Sequence, residues 1–314
     1  MRKWTKDILI SILLVGITVL CIVRWQAWFG MPDEPFWAYD TIDYTFQCPE
    51  DEPDSSLTII VLGDIHNRLV SDEYDTLAAR VPDADIVAQA GDWLDRGQTY
   101  YYQSLLREWT NSGLNGLPVL ATPGNHEYSK GLHKSLSSVW ENGFQHPDNG
   151  PRGVPGASYY VDLQQIRFIT IDTNPLRHLV YLTRTLTWLR QAMYSAGNRY
   201  IVVMMHHPVI SAGKGRFNPL VYATFRHALG EADLVIAGHD HSYMRRTPFV
   251  VLNSAGKVKK QRHNLNAAAA DTVPVYGVLR VEAPGIDARQ PEMRFTVYRF
   301  TDGAVIDSLY VKHD

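Results

Sequence analysis

Six short apolar segments constrain the fold of this 314-residue chain more than any other feature, because an aspartate, asparagine or histidine follows each within four residues. The segments are 57–62, 86–90, 117–121, 167–171, 200–205 and 234–237. Such runs are typical of strands that are buried on both faces of a sheet. Helical patterns lie between several of them, over residues 72–80, 101–112, 179–195 and 219–229. This alternation predicts the α/β fold class.

The C-terminal part of the chain has a different pattern. Residues 273–282, 292–300 and 304–312 are predicted to be antiparallel strands that are joined by turns. Before them, Gly256–Asp271 is first basic and then rich in alanine. That composition predicts a surface loop.

The polar residues at the ends of the predicted strands form a candidate site. In open α/β sheets, ligands bind at the carboxyl ends of the strands. Carboxylate, carboxamide and imidazole groups suit Mn, Fe or Zn. Two such cations close together need a shared carboxylate, because the cations repel each other. The candidate side chains are those of Asp64, His66, Asp92, Asn125, His126, His206, His239 and His241.

Five motifs in this region resemble, in order, those of the calcineurin-like metallophosphoesterases. The motifs are Asp64-x-His66, Gly91-Asp92-x-x-Asp95, Gly124-Asn125-His126-Glu127, His206 and Gly238-His239-x-His241. The resemblance covers about residues 57–245 and implies a four-layer α/β/β/α sandwich with two mixed β-sheets. Residues 159–245 are most similar to the purple acid phosphatase branch. However, Asp95 stands where that branch has a tyrosine ligand, so a Tyr–Fe(III) centre is not expected.

The resemblance implies two divalent or trivalent metal ions of Mn, Fe or Zn, bridged by Asp92. The first ion would be held by Asp64, His66, Asp92 and His241, and the second by Asp92, Asn125, His206 and His239. A hydroxide between the ions would attack phosphorus in line, and His126 would protonate the leaving group. Asp95 is expected to orient His126, and Arg96 is expected to bind a phosphate oxygen.

Simpler interpretations exist for parts of this set. An aspartate that follows a strand and a glycine, such as Asp64 or Asp92, also suits a turn or a helix cap. The complete set in order favours metal ligation. Asp95 and Arg96 could instead form an ion pair beside the site.

The adjacent histidines His206 and His207 are ambiguous. The family pattern selects His206 as the ligand. His207 is then expected on the other face of the strand end, either as a substrate contact or as a polar neighbour.

The first 30 residues predict a membrane anchor. Three basic residues within the first six precede an uncharged apolar run, Ile8–Val23. At 1.5 Å per residue the run covers about 24 Å of a hydrocarbon core of about 30 Å, and flanking tryptophans extend it. The basic residues predict a cytoplasmic N-terminus and a main domain on the non-cytoplasmic, periplasmic side. Residues 31–56, rich in proline and acidic residues, are predicted to be a juxtamembrane linker.

A cleaved signal peptide is the alternative interpretation of this N-terminus. Bulky Trp25 and Trp28 follow the apolar run where a cleavage site would need small residues. An uncleaved anchor is therefore favoured, and cleavage stays open.

The overall composition excludes several classes of protein. Lys and Arg number 30 against 33 Asp and Glu, so the net charge of −3 gives no basic field that could hold nucleic acid. Two cysteines exclude a disulfide framework and a cysteine-rich zinc module. A hydrophobic fraction of 45% excludes intrinsic disorder.

We therefore predict that residues 57–314 form the catalytic domain of a membrane-anchored, dinuclear metal-dependent phosphoesterase. Its substrate would be a phosphomonoester or a phosphodiester, which the ligand set does not distinguish. The alternatives are a non-catalytic, metal-stabilised binding or sensing module and a hydrolase of a lipid-linked phosphate or pyrophosphate. Metal identity and oligomeric state do not follow from the sequence.

Overall fold

The computed structural model of the protein describes residue 18 and residues 44–49, 56–129, 135–211, 219–258, 269–282 and 292–311. The predicted membrane anchor and most of the predicted linker lie outside these residues. Within the described ranges, none of the helices combines the length and the apolar character that a bilayer crossing requires.

The described part of the chain contains five α-helices and thirteen β-strands. The helices are α1 (Ser71–Arg80), α2 (Thr99–Thr110), α3 (Ser138–Gly143), α4 (Leu179–Tyr194) and α5 (Pro219–Leu229). The first strands are β1 (Leu57–Leu62), β2 (Ile86–Gln89), β3 (Val119–Ala121), β4 (Tyr159–Leu163), β5 (Ile166–Ile171), β6 (Tyr200–Met205) and β7 (Leu234–Ala237). The remaining strands are β8 (Tyr243–Arg246), β9 (Phe249–Val251), β10 (Ala269–Asp271), β11 (Val275–Glu282), β12 (Glu292–Arg299) and β13 (Val305–Val311).

The strands form two mixed sheets. Sheet I has the order β13-β12-β11-β1-β2-β3, in which β1, β2 and β3 are parallel and β11 to β13 are antiparallel. Sheet II has the order β10-β8-β9-β7-β6-β5-β4, in which β5, β6, β7 and β9 are parallel. Each sheet therefore has a parallel part, and the loops with the candidate ligands leave the carboxyl ends of those parallel strands.

Three apolar clusters separate four layers of secondary structure. The cluster between the two sheets includes Ile59 of β1 and Phe168 of β5. A second cluster packs α1 and α2 on the outer face of sheet I through Tyr74 and Trp109. The third cluster packs α4 and α5 on the outer face of sheet II, with Leu189 at 0% exposure. This arrangement confirms the predicted α/β/β/α sandwich with two mixed sheets.

The six apolar segments all form strands, and the four helical patterns all form helices. The prediction of a surface loop over Gly256–Asp271 is wrong at its end, because Ala269–Asp271 is the edge strand β10 and pairs with β8. Strands β4, β8 and β9 and the short helix α3 were not predicted. Strands β8 and β9 have four and three residues, too few for a periodic pattern, and they form because a neighbouring strand supplies hydrogen bonds.

Residues 44–49, at the end of the predicted linker, pack against the domain. Phe46 is 2% exposed, donates its N–H to the carbonyl of Gly143 at 2.8 Å and accepts from the N–H of Gln145 at 2.9 Å. Its ring stacks on Phe144 at 4.8 Å between centroids and lies 5.0 Å from the ring of Trp93. This segment, here called the strap, is thus part of the core around sheet I.

Candidate metal centre

The backbone at the strand ends adopts a conformation that L-residues rarely accept. Seven non-glycine residues in the described ranges have a positive φ, and five of them are predicted metal ligands. These five are Asp64 at 49°, His66 at 54°, Asp92 at 54°, His239 at 71° and His241 at 55°. Left-handed backbone costs of order 1–3 kcal/mol per residue and collects at functional sites. The fold therefore imposes this conformation on the residues that the sequence analysis selected.

Four predicted ligands form a first, fully buried group. One donor atom from each of Asp64, His66, Asp92 and His241 lies within 4.8 Å of the others. The Nε2 atoms of His66 and His241 are 3.4 Å apart, and His241 Nε2 is 3.5 Å from Asp64 Oδ1. This is the set that the resemblance assigned to the first metal ion.

Asp92 also faces the second group. Its Oδ2 atom lies 3.7 Å from His66 Nε2 in the first group and 3.2 Å from His206 Nε2 in the second. The Nδ1 atom of His239 is 3.3 Å from His206 Nε2. One carboxylate oxygen therefore stands between imidazoles of both groups, as a bridging ligand requires.

Asn125 provides a test of whether these residues fit a cation. Its Oδ1 atom is buried and has no hydrogen-bond partner among the residues that the structure describes. An unsatisfied buried acceptor costs about 1–3 kcal/mol. A cation at the second position would satisfy this oxygen, and an amide oxygen is an accepted ligand of such ions. The donor set therefore fits a metal ion.

Backbone carbonyls orient the ligand imidazoles. The Nδ1 atom of His206 lies 2.9 Å from the carbonyl oxygen of Ala90, and the Nδ1 atom of His241 lies 2.9 Å from that of Lys257. Because each Nδ1–H donates to a carbonyl, each Nε2 presents its lone pair to the centre. This outer contact is the usual way in which proteins set the tautomer of a metal-ligating histidine.

Electrostatics favour an ionised carboxylate at the bridging position. Burial alone would raise the pKa of Asp92, but the imidazoles of His206, His126 and His66 outweigh it and hold the pKa well below its ordinary value. Burial alone would lower the pKa of His206, but Asp92 raises it to about 10. Burial lowers the pKa of His66 to about 3, with Asp92 opposing this shift. Metal ions compete with these protons for the same atoms.

Glu127 connects two of the ligand loops, a role that the sequence analysis did not assign. Its fully buried carboxylate accepts the backbone N–H groups of Asp92 at 3.0 Å, Leu94 at 2.9 Å and Gly124 at 2.7 Å. Burial and the nearby Asp92 carboxylate raise the pKa of Glu127. In the sequence, the position of Glu127 directly after the Gly-Asn-His motif was an indication that it lies near the site. Glu127 thus holds the loops after β2 and β3 together.

Gly124 allows the close approach of these two loops. A Cβ atom at this position would overlap Oδ1 and the backbone nitrogen of Asp92. The Asp92 Oδ1 atom instead accepts the backbone N–H of His126 at 2.9 Å. The Asp92 carboxylate is therefore held by a backbone contact on Oδ1, and its Oδ2 atom faces the two groups of histidines.

Asp95 contacts His126 through its backbone carbonyl rather than through its carboxylate. The Nδ1 atom of His126 lies 2.6 Å from the backbone carbonyl oxygen of Asp95, so this carbonyl orients the ring. The Asp95 carboxylate, which is 42% exposed, lies 3.7 Å from His66 Nδ1. One of its oxygens is also within 4.8 Å of a ring nitrogen of His126, so the side chain lies beside both histidines. Arg96 is exposed on the same loop.

The structure also corrects the expected position of His207. Its ring lies 4.5 Å from the ring of His239 and 4.9 Å from that of His206, between centroids, rather than on the opposite face. Strand β6 ends at Met205, so the alternation of side chains along a strand no longer applies two residues later. His207 therefore lines the second group.

Comparisons with known proteins agree with this geometry. A family model described as calcineurin-like phosphoesterase matches residues 57–243. The glycerophosphodiester phosphodiesterase GpdQ of Enterobacter lignolyticus is 26% identical over 169 residues, which are 51% of this chain and 56% of that protein. The chain thus spans a little over half the length of this relative.

Two solved structures share the fold at low identity. One is purple acid phosphatase PPD1 from yellow lupin seeds, with a TM-score of 0.59, 15% identity and coverage of 84% of this chain and 55% of that chain. The other is GAP50, described as the anchor in the inner membrane complex of Plasmodium, with a TM-score of 0.56, 14% identity and coverage of 82% and 89%.

The family match extends over more than half of the chain, from the first residue of β1 to the first residue of β8. It contains every predicted metal ligand and the two loops that Glu127 connects. It bears out the predicted resemblance to the calcineurin-like metallophosphoesterases. The chain belongs to the calcineurin-like phosphoesterase family.

Proposed function

We propose that this protein hydrolyses a phosphoester with the help of two metal ions that share Asp92. The observation that carries the proposal is the position of Asp92 Oδ2, 3.7 Å from His66 Nε2 and 3.2 Å from His206 Nε2. Two imidazoles from different sheets converge on one ionised oxygen, which favours a shared ligand over two separate sites.

The residues divide into two ligand sets and one proton donor. Asp64, His66, Asp92 and His241 would hold one ion; Asp92, Asn125, His206 and His239 would hold the other. Bound cations supply Lewis acidity, which lowers the pKa of water and polarises a phosphoryl oxygen. The protein supplies orientation: carbonyls point the ligand nitrogens inward, and the Glu127 contacts fix the loops.

His126 is the proposed general acid. Its Nδ1–H donates to the carbonyl of Asp95, and its Nε2 atom lies 4.0 Å from Asp92 Oδ2, at the edge of the centre. Its side chain is 37% exposed, so a leaving oxygen can reach it. A proton on Nε2 would pass to the leaving oxygen as the ester bond breaks. Arg96, exposed beside it, is proposed to bind a phosphate oxygen.

A hydrolysis assay with matched variants tests this proposal. Purified protein is assayed with para-nitrophenyl phosphate and its bis ester, before and after chelation and after addition of Mn²⁺, Fe²⁺ or Zn²⁺. We expect activity that chelation removes and one of the metals restores. Asp92→Ala should lose both metal and turnover, whereas His227→Ala, on the exposed face of α5, should keep both. Normal turnover by Asp92→Ala would contradict the proposal.

The bis ester in this assay addresses the substrate class. The relative GpdQ is named a glycerophosphodiester phosphodiesterase. By that similarity, we propose that a diester is the better substrate. A higher kcat/KM for the mono ester would contradict this choice and leave the metal-dependent mechanism untouched.

Membrane anchoring is a separate proposal. It is supported by the apolar run Ile8–Val23 and by the three basic residues before it. We expect the full chain to stay in the membrane fraction after a carbonate wash, and the main domain to be accessible to protease from the non-cytoplasmic side. Release by carbonate would contradict the anchor. A lipid-linked substrate is a further candidate on this basis, and a phosphorylated lipid belongs in the substrate panel.

A non-catalytic, metal-stabilised module is the competing function. The fold occurs in GAP50, which is described as an anchor. The same assay separates the two: stoichiometric metal without hydrolysis of any ester in the panel would favour the binding module.

A further inference from the structure

His207 lines the centre although it belongs to neither proposed ligand set. One of its ring nitrogens lies within 4.8 Å of donor atoms of His206 and His239. The side chain is partly exposed, whereas His206 is fully buried. The His207 ring therefore lies beside the proposed second metal position.

Thr173 determines which nitrogen of His207 carries the proton. The Thr173 Oγ1 atom is 2.7 Å from His207 Nδ1 and accepts the His207 backbone N–H at 3.4 Å. Within the described ranges this hydroxyl, on a residue that is 5% exposed, makes no other hydrogen bond. Within the described ranges, Nδ1 is the acceptor that this hydroxyl hydrogen can reach, and we assign the hydrogen bond in that direction. The neutral ring then carries its proton on Nε2.

A histidine with a proton on Nε2 donates at that atom and cannot coordinate a metal through it. In the imidazolium form Nε2 also carries a proton, so the atom is a donor in both states. His206 is arranged in the opposite way, because its Nδ1–H donates to Ala90 and its Nε2 is left as an acceptor. With this assignment, the Nε2 atom of His206 is an acceptor and that of His207 is a donor.

We propose that His207 is a substrate-contacting residue whose Nε2–H donates to a non-bridging oxygen of the phosphoryl group, and that Thr173 is its positioning residue. The inference rests on the proposed phosphoesterase function. His126 and His207 then serve opposite sides of the centre. The ring of His126 lies 4.5 Å from His66 in the first group, and the ring of His207 lies 4.5 Å from His239 in the second.

The test compares His207→Ala, His207→Gln and the control His227→Ala. For each we measure bound metal, the affinity for inorganic phosphate by calorimetry, and kcat and KM with the best ester. For His207→Ala we expect unchanged metal content and phosphate affinity about 10- to 100-fold lower, the effect of one hydrogen bond to a charged group. His207→Gln should recover part of this loss, because its amide nitrogen reaches the Nε2 position. His227→Ala should match the wild type.

Thr173→Val and Thr173→Ser form a second, independent pair. Valine keeps the shape of threonine and removes the hydroxyl, so phosphate affinity should fall; serine keeps the hydroxyl and should retain affinity. If His207→Ala does not fold, this pair of Thr173 variants still tests the inference. A merely structural role of Thr173 would change stability without changing phosphate affinity at full metal content.

Three results would overturn the inference. They are loss of a metal equivalent in His207→Ala, which would make His207 a ligand; wild-type phosphate affinity in His207→Ala; and wild-type affinity in Thr173→Val. Failure of the proposed function looks different, because the wild-type protein itself would then show no metal-dependent hydrolysis.

Discussion

At the scale of single residues, the contact made by one ring nitrogen decides what the other nitrogen of a histidine can do. Carbonyl oxygens take the Nδ1–H groups of His206, His241 and His126, so their Nε2 atoms face the centre. In the proposed arrangement, the Thr173 hydroxyl donates to Nδ1 of His207, so the Nε2 atom of His207 carries a hydrogen. These contacts distinguish the two proposed ligands from the proposed general acid and the proposed substrate contact. None of them involves a residue that the motifs contain, apart from the backbone of Asp95.

The contact between Asp95 and His126 leads to a prediction at this scale. Because a backbone carbonyl orients His126, Asp95→Asn should slow turnover less than about tenfold, the loss expected from a partly exposed charge. His126→Ala should keep its metal and slow turnover by about 10²–10⁴-fold. Steady-state kinetics with metal analysis make the comparison. Equal losses of turnover in both variants would show that the Asp95 carboxylate, rather than its backbone carbonyl, is needed for the action of His126.

The thiol of Cys48 gives a second prediction. Burial raises its pKa from 9.0 to about 12, so at pH 8 the thiolate is about a thousandfold rarer than in the unfolded chain. In a Cys21→Ser background, iodoacetamide should modify the folded protein slowly at pH 8 and the urea-unfolded protein readily. The raised pKa stabilises the fold below about pH 9, and this contribution is lost as pH rises toward 12. Rapid modification of the folded protein would mean that Cys48 is accessible.

At the scale of elements, the strap joins a ligand loop to two helices. Phe46 contacts Trp93, the neighbour of Asp92, and also Trp109 of α2, with ring centroids 5.0 Å and 5.5 Å away. Trp93 donates from Nε1 to the hydroxyl of Tyr74 in α1 at 2.9 Å. The strap and the helices therefore support the loop that carries Asp92 from its outer side.

Truncation of Phe46 should destabilise the domain. Phe46→Ala removes a ring that is 2% exposed, and large aromatic side chains in cores contribute about 3–5 kcal/mol. The free energy of unfolding in urea should fall by about that amount. The control Tyr194→Ala, at a residue that is 92% exposed, should change it by no more than about 0.5 kcal/mol. A similar effect of both variants would show that the strap is not packed.

At the scale of the whole molecule, the centre lies where the two sheets meet. Sheet I supplies Asp64, His66, Asp92 and Asn125 from the loops after β1, β2 and β3, and sheet II supplies His206, His239 and His241 from the loops after β6 and β7. A backbone contact also crosses between them, since His239 donates its N–H to Asp64 Oδ2 at 2.7 Å. Ions bound here would tie the sheets together.

Metal binding should therefore stabilise the whole domain. At free metal 100-fold above Kd, each site adds about 2.7 kcal/mol to the free energy of unfolding. Urea unfolding with excess metal and with chelator should differ by at least this amount in the wild type. The difference should vanish in Asp92→Ala. An equal response of wild type and variant would place the stabilising metal elsewhere.

Local patterns predicted the interior of the fold well. The segments 57–62, 200–205 and 234–237 match strands β1, β6 and β7 residue for residue. A strand that is buried on both faces of its sheet has a continuous apolar run, which can be recognised in a single stretch of the sequence. Strands β8 to β10 have only three or four residues, so their own sequence carries too little of a pattern.

The sequence by itself determined the apolar runs, the order of the motifs and the types of ligand, because burial and ligand chemistry depend on each residue and its near neighbours. The tertiary structure alone decided that Asp92 faces both groups, that the backbone rather than the carboxylate of Asp95 holds His126, and that His207 stands beside His239. These outcomes depend on the path of the backbone after each strand ends. That path is set by contacts between distant segments, such as those of Glu127 and Thr173, and no local spacing encodes it.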